Sequence, residues 1–101
     1  MVDEKRTRII QEKIRVKSAL RIISEEMLKH ETDEAGRIDW AIEEILNAIE
    51  NSPNKSAICV IDDFRNKMEE YMGYNDRAYT AFYIPFIIAE RYSDLYYAGI
   101  I

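Results

Sequence analysis

The chain has 101 residues, of which 48% are hydrophobic and 33% are charged, and its net charge is −5. This length predicts a single domain over residues 1–101, and only three glycines and two prolines favour an all-α fold over a β-rich or disordered one. One cysteine excludes an internal disulfide and the first ten residues lack the pattern of a secretory signal, so we expect a cytoplasmic protein without general affinity for nucleic acid or anionic membranes.

The first predicted helix covers residues 4–30 and is long for a domain of this size, since about 1.5 Å per residue gives it nearly 40 Å. Apolar side chains recur along it at the spacing of one helical face. That stripe comprises Ile9, Val16, Leu20, Ile23 and Met27, and it is widened by Ile10, Ile14 and Ile22.

The second predicted helix covers residues 33–51 and has the most regular apolar stripe in the chain. Isoleucines recur at steps of four, three and four residues, at positions 38, 42, 45 and 49. Trp40 lies beside this stripe, and either Thr32 or Asp33 is the predicted N-cap.

The third predicted helix covers residues 54–72, with Ser52 and Pro53 as its cap and first-turn pair and Ser56 as the alternative cap. Its first turn is predicted to be buried on all sides, which would make Cys59 an inert core thiol. Gly73 is the predicted stop.

The fourth predicted helix covers residues 76–98, capped by Asn75 or Asp76, with a kink or break at Pro85 because proline lacks the backbone N–H and clashes with the preceding turn. Its apolar arc exceeds half of the circumference, so more than one neighbour must cover it. The four helices predict an antiparallel bundle, and the long first helix together with the apolar last one suggests a homodimer.

A membrane span is not predicted, although the last 23 residues are strongly apolar. The longest uncharged run covers residues 78–89, whereas a helical span needs about 20 residues. Glu90, Arg91 and Asp94 then interrupt the apolar sequence.

All seven tyrosines lie in the last 31 residues. They could line the rim of the core, with the ring inward and the hydroxyl in water, or form a binding surface, where tyrosine is enriched. Because one small core cannot satisfy seven buried hydroxyls, we predict an aromatic C-terminal surface that contacts a protein partner or a second copy. Its predicted residues are Tyr79, Tyr83, Phe86, Tyr92, Tyr96 and Tyr97.

No complete catalytic set is present, so we predict neither an enzyme nor a metal or cofactor site. Glu31 and Glu34 resemble the first half of a MazG-like magnesium signature, but its second half is missing. His30 is the only histidine and has neither a phosphotransfer motif nor a Glu-x-x-His pair around it. The three glycines are too scattered for a phosphate-binding loop.

An alternative function is nucleic-acid binding through the first helix. Residues 1–30 carry a net charge of +3 within this acidic chain, and a local basic cluster can bind phosphates. The candidate contacts are Arg8, Lys13, Arg15 and Lys17. Residues 31–70 carry −7 instead, and such a segment could imitate nucleic acid toward a basic partner.

These patterns favour a non-catalytic protein-binding module of the kind found among small bacterial or phage regulators, inhibitors and immunity proteins. In size and helical build the chain is similar to bacteriocin immunity proteins, although no shared motif accompanies that similarity. The predicted partner is another protein or a second copy of this chain.

Overall fold

Four α-helices form the whole of the secondary structure in the computed structural model, which describes residues 4–30 and 35–101. They are α1 (Glu4–Leu28), α2 (Ala35–Glu50), α3 (Ala57–Met72) and α4 (Asp76–Tyr97). The predicted all-α fold is therefore confirmed. The predicted caps Thr32 and Asp33 and the Glu31–Glu34 pair lie outside the described residues.

The core is formed by one side of each helix, and each helix contacts the other three. Each helix contributes at least one completely buried residue, and these include Leu20, Ile45, Ile61 and Ile88. All four isoleucines of the predicted α2 stripe are buried, which confirms that pattern. The most extensive contact joins α3 to α4.

Only the second half of α1 contributes to this core. Its buried apolar residues begin at Val16 and continue through Leu20 and Ile23 to Met27. The predicted widening of the stripe is wrong, because the other helices cover one side of α1 and three isoleucines project elsewhere. Those exposed side chains are Ile10 (49%), Ile14 (62%) and Ile22 (69%).

Helix α3 begins at Ala57, later than predicted, with Ser56 in extended conformation as its N-cap. Ser52 belongs instead to the turn that ends α2, where its amide donates to the Ile49 carbonyl at 3.2 Å. The predicted burial of Cys59 is wrong: its side chain is exposed, because the inward positions of the first turn fall on Ile58 and Ile61.

Helix α4 begins at the predicted cap, since the Asn75 side chain accepts a hydrogen bond from the Ala78 amide at 2.8 Å. It then runs as one helix through the buried Pro85, so the predicted break is absent. The carbonyl that loses its helical donor at Pro85 belongs to Ala81, an exposed residue, so water can take the place of that donor.

Candidate protein-binding site

Two exposed tyrosines stack on each other near the start of α4. Tyr79 and Tyr83 are one turn apart, are 50% and 36% exposed, and have ring centroids 5.5 Å apart with planes inclined by 27°. Phe86 lies one turn further on the same side and is half-buried. We call Tyr79, Tyr83 and Phe86 the aromatic face. Its three rings lie along one side of α4, where a partner can contact them.

The start of α4 is held firmly, which fixes the direction of the aromatic face. The Asn75 cap closes its first turn, and the Arg37 guanidinium of α2 donates to the Thr80 carbonyl at 3.2 Å. Ile84 and Ile88 anchor the opposite side of α4 in the core. The stacked tyrosines are therefore presented on a rigid element and already hold each other in place.

Carboxylates share the outward side of α4 with these rings. At about 100° per residue, Asp76, Glu90 and Asp94 lie within roughly 60° of Tyr79 around the helix axis. Asp76 and Asp94 are exposed and Glu90 is half-buried. The surface thus combines aromatic rings, whose faces attract cations, with negative charge.

Tyr96 and Tyr97 lie at the far end of α4, so they do not join the aromatic face. Tyr97 is 67% exposed, but it lies about 21 Å beyond Tyr83 along the helix axis. Tyr96 is 42% exposed and projects toward Arg15 and the chain end, in a hollow of about 120 Å³.

The Tyr97 hydroxyl has a structural partner instead. It donates to one carboxylate oxygen of Asp62 in α3 at 2.6 Å, and the Ser93 hydroxyl donates to the other oxygen at 2.6 Å. We call these three residues the Asp62 clamp. The hydrogen bond to Asp62, with smaller effects of burial and of the nearby negative charge, raises the pKa of the Tyr97 phenol.

Tyr92, a predicted partner contact, is buried in this structure. Its side chain is 4% exposed and belongs to the core, because it follows Ile88 by four residues and so shares its inward side. Burial raises the pKa of this phenol.

Sequence analysis missed a second apolar hollow, of about 230 Å³, between the starts of α2 and α4. Trp40, which is 43% exposed, lines it together with Phe82 and Pro85. Phe82 also contacts Tyr71 of α3, with the two ring centroids 5.1 Å apart. The position of Trp40 outside the isoleucine stripe was the available signal, since a tryptophan off the core side of a helix is free to contact a partner.

The four basic residues proposed for nucleic-acid contact do not form one surface. Arg8 and Arg15 share one side of α1 and Lys13 and Lys17 another, and at about 100° per residue the two sides point in nearly opposite directions. Arg8 donates to the Pro53 carbonyl at 2.9 Å, and Lys13 pairs with Glu50 at 2.8 Å. That pair lowers the pKa of the Glu50 carboxyl through its hydrogen bond and charge.

Metal binding and membrane insertion are two other functions that residues 4–30 and 35–101 bear on. This part of the chain contains no cluster of three histidine, cysteine, aspartate or glutamate side chains able to hold a metal ion. Within the same residues, none of the helices has the length and hydropathy needed to cross a membrane.

Comparison with known proteins gives no match: no family model fits the chain, and no curated protein or solved structure is significantly similar to it.

Proposed function

We propose that this chain is a non-catalytic helical module that binds a partner protein through the aromatic face of α4. The observation that carries the proposal is the stacked, exposed pair Tyr79 and Tyr83. Tyrosine is enriched among the residues that dominate binding energy at interfaces. Stacking and the capped helix start restrict both rings before binding, which lowers the entropy lost on association.

The partner surface that fits best carries basic and aliphatic side chains. Lysine or arginine can lie over the ring of Tyr79 and approach the carboxylate of Asp76, one turn earlier, at the same time. A second cation of the partner can approach Asp94, which lies further along the same side of α4. The net charge of −5 would also speed encounter with a basic partner. This role suits a small regulator, inhibitor or immunity-type protein, and the half-buried Phe86 would supply the apolar centre of the contact.

We propose further that the bundle is antiparallel. Tyr71, near the end of α3, meets Phe82 near the start of α4, whereas Asp62 near the start of α3 meets Tyr97 at the end of α4. The kink at Pro85 and the homodimer stay predictions of the sequence.

The experiment is affinity capture from native extract with the tagged full chain, quantified by mass spectrometry and repeated with the purified partner by calorimetry. Tyr79→Ala/Tyr83→Ala should weaken binding by at least about 30-fold, the loss expected for interface hot spots. Tyr74→Ala is the matched control, because Tyr74 is 66% exposed but precedes α4. Capture that is unchanged by the double variant, or equally reduced by the control, would contradict the proposal.

Nucleic-acid binding by α1 has less support. Its four candidate cations lie on two sides of the helix, and Lys13 is already paired with a carboxylate. No specific observation favours this function, so it stays a prediction of the sequence.

A further inference from the structure

An open groove of about 640 Å³ runs between α1 and α2. Ile42 and Leu46 of α2 contribute its apolar lining, and Ile10 and Ile14 of α1 extend that lining outward. Ile10 and Ile14 are 49% and 62% exposed, so much of this apolar surface meets water. No described element covers the groove. Burying such a surface against another chain is favourable.

The two sides of the groove carry opposite charges. Lys17 and Arg21 line it on the α1 side, and Asp39 and Glu43 line it on the α2 side. In the part of the chain that the structure describes, none of these four side chains forms an ion pair within 4 Å. The groove therefore presents two cations and two anions that are free to pair with an incoming surface.

The charges lie at matching heights along the groove. Lys13, in the first half of α1, pairs with Glu50 at the end of α2. Lys17 and Arg21 come later in α1 and therefore lie level with earlier positions of α2, where Glu43 and Asp39 project. Counting from the Lys13–Glu50 pair, Arg21 lies nearly level with Glu43, and Lys17 and Asp39 each lie within about one turn of an opposite charge on the other side.

We infer that the groove is the interface of a symmetric homodimer. A twofold axis parallel to the groove places the α1 side of each copy over the α2 side of the other without changing the height of any residue. Lys17 and Arg21 then meet Glu43 and Asp39 of the second copy, and this contact occurs twice, as symmetry requires. Ile10 and Ile14 precede Lys17 on the same side of α1, so they add an apolar part to the contact next to its charged part.

A second copy fits this groove better than other occupants because the groove is its own charge complement. A nucleic acid would meet Asp39 and Glu43 with its phosphates, at an electrostatic cost. An unrelated helix would need an acidic edge and a basic edge at the same spacing. The interface uses α1 and α2 and leaves the aromatic face of α4 out of the contact, so a failed dimer test and a failed partner test are distinguishable.

The first test is sedimentation equilibrium of the full chain with one exposed isoleucine changed at a time. Ile14→Glu should raise the dimer dissociation constant by at least about tenfold, because it places a charge in the apolar part of the contact. Ile22→Glu is the matched control, since Ile22 is 69% exposed on the same helix but does not line the groove. Circular dichroism should show that both variants keep their helices.

A chain that stays monomeric at about 100 μM, a concentration well above the dissociation constants of most specific interfaces, would overturn the inference. A dimer that Ile14→Glu and Ile22→Glu weaken equally would also overturn it, because the contact would then lie elsewhere.

The second test separates contacts between copies from contacts within one copy. Lys17→Glu and Glu43→Lys should each weaken self-association, because each places like charges opposite one another. An equimolar mixture of these two variants should form a heterodimer with an affinity near that of the unmodified chain, since both contacts then join opposite charges. Pairing within one chain cannot produce this rescue, so a mixture that associates no better than the separate variants would refute the symmetric arrangement.

Discussion

The two helix pairs of this bundle differ in how completely each satisfies its own side chains. Helices α3 and α4 make the most extensive contact in the molecule, and the Asp62 clamp joins them through two short hydrogen bonds. Helices α1 and α2 instead flank an open groove with exposed isoleucines. All four helices contribute to the core, but α3 and α4 also satisfy polar groups against each other, whereas the α1–α2 side leaves apolar and charged side chains exposed.

The same contrast appears in the use of charge. On the α3–α4 side the carboxylate of Asp62 is half-buried and accepts from two hydroxyls, so its position is fixed. Along the groove, Lys17 and Glu43 line opposite sides without an ion pair between them in the described structure. Satisfied polar groups stabilise a fold, and unpaired ones at an apolar surface are typical of an interface rim.

The largest expected effect is the difference in the free energy of unfolding between two variants, one at a buried isoleucine and one at an exposed isoleucine. Ile88→Ala should lower the free energy of unfolding by about 2–5 kcal/mol, because Ile88 is completely buried in α4 and its loss leaves a cavity. Ile14→Ala should change it by less than about 0.5 kcal/mol in dilute solution, where the groove is empty. Urea denaturation followed by circular dichroism measures both values.

The dependence of the thermal unfolding midpoint on protein concentration tests the same difference in a second way. The midpoint of thermal unfolding should rise with concentration for the unmodified chain and for Ile88→Ala, because association stabilises the folded state by mass action. It should rise less for Ile14→Ala. If the midpoint of the unmodified chain is independent of concentration, the groove is not a site of self-association. The exposed side chains of α1 and α2 would then not mark an interface between copies.

A smaller effect is expected when the Asp62 clamp is removed. Asp62→Ala leaves the Ser93 hydroxyl, in a residue that is 6% exposed, without its carboxylate partner, and should lower the free energy of unfolding by about 1–3 kcal/mol. Asp63→Ala is the matched control, because its exposed pair with Lys55 at 2.9 Å is screened by water and should contribute much less. Equal losses in the two variants would show that the clamp adds nothing beyond an ordinary surface contact.

The fold features that depend on neighbours within one or two turns could be predicted from the sequence. The α2 stripe, the Asn75 cap and the end of α3 next to Gly73 are of this kind. Which side of each helix meets another helix depends instead on long-range packing. For that reason the exposure of Ile14 and of Cys59 was wrongly predicted, although both belong to correctly predicted helices.

The candidate site was predictable to a similar extent. Tyr79 and Tyr83 could be grouped because one helical turn separates them. The clamp could not, since Asp62 lies 31 residues before Ser93 and 35 before Tyr97, and helical spacing carries no information at that range. The groove could not be predicted for the same reason. Each of its helices has an ordinary apolar pattern, and only the way they pack leaves Ile10 and Ile14 exposed.

The smallest effect concerns the Tyr97 phenol, whose pKa is raised by its hydrogen bond to Asp62 above the ordinary value of about 10. Because the folded state holds this proton more tightly than the unfolded state does, the hydrogen bond adds to the stability of the fold. This contribution is fully present below the unfolded pKa of the phenol and is lost as the pH rises through its folded pKa. Tyrosine ring signals followed by NMR against pH should show Tyr97 titrating above the ordinary range of a tyrosine phenol.

Asp62→Asn should return the pKa of Tyr97 toward the ordinary value, because the negative charge that held the proton is gone. Tyr92 provides the internal control: burial raises its pKa, so this substitution should leave it unchanged. The titration of Tyr97 should also be the same in Ile14→Glu as in the unmodified chain, since the clamp lies on the α3–α4 side. If the pKa of Tyr97 differs between Ile14→Glu and the unmodified chain, the two helix pairs are coupled rather than independent.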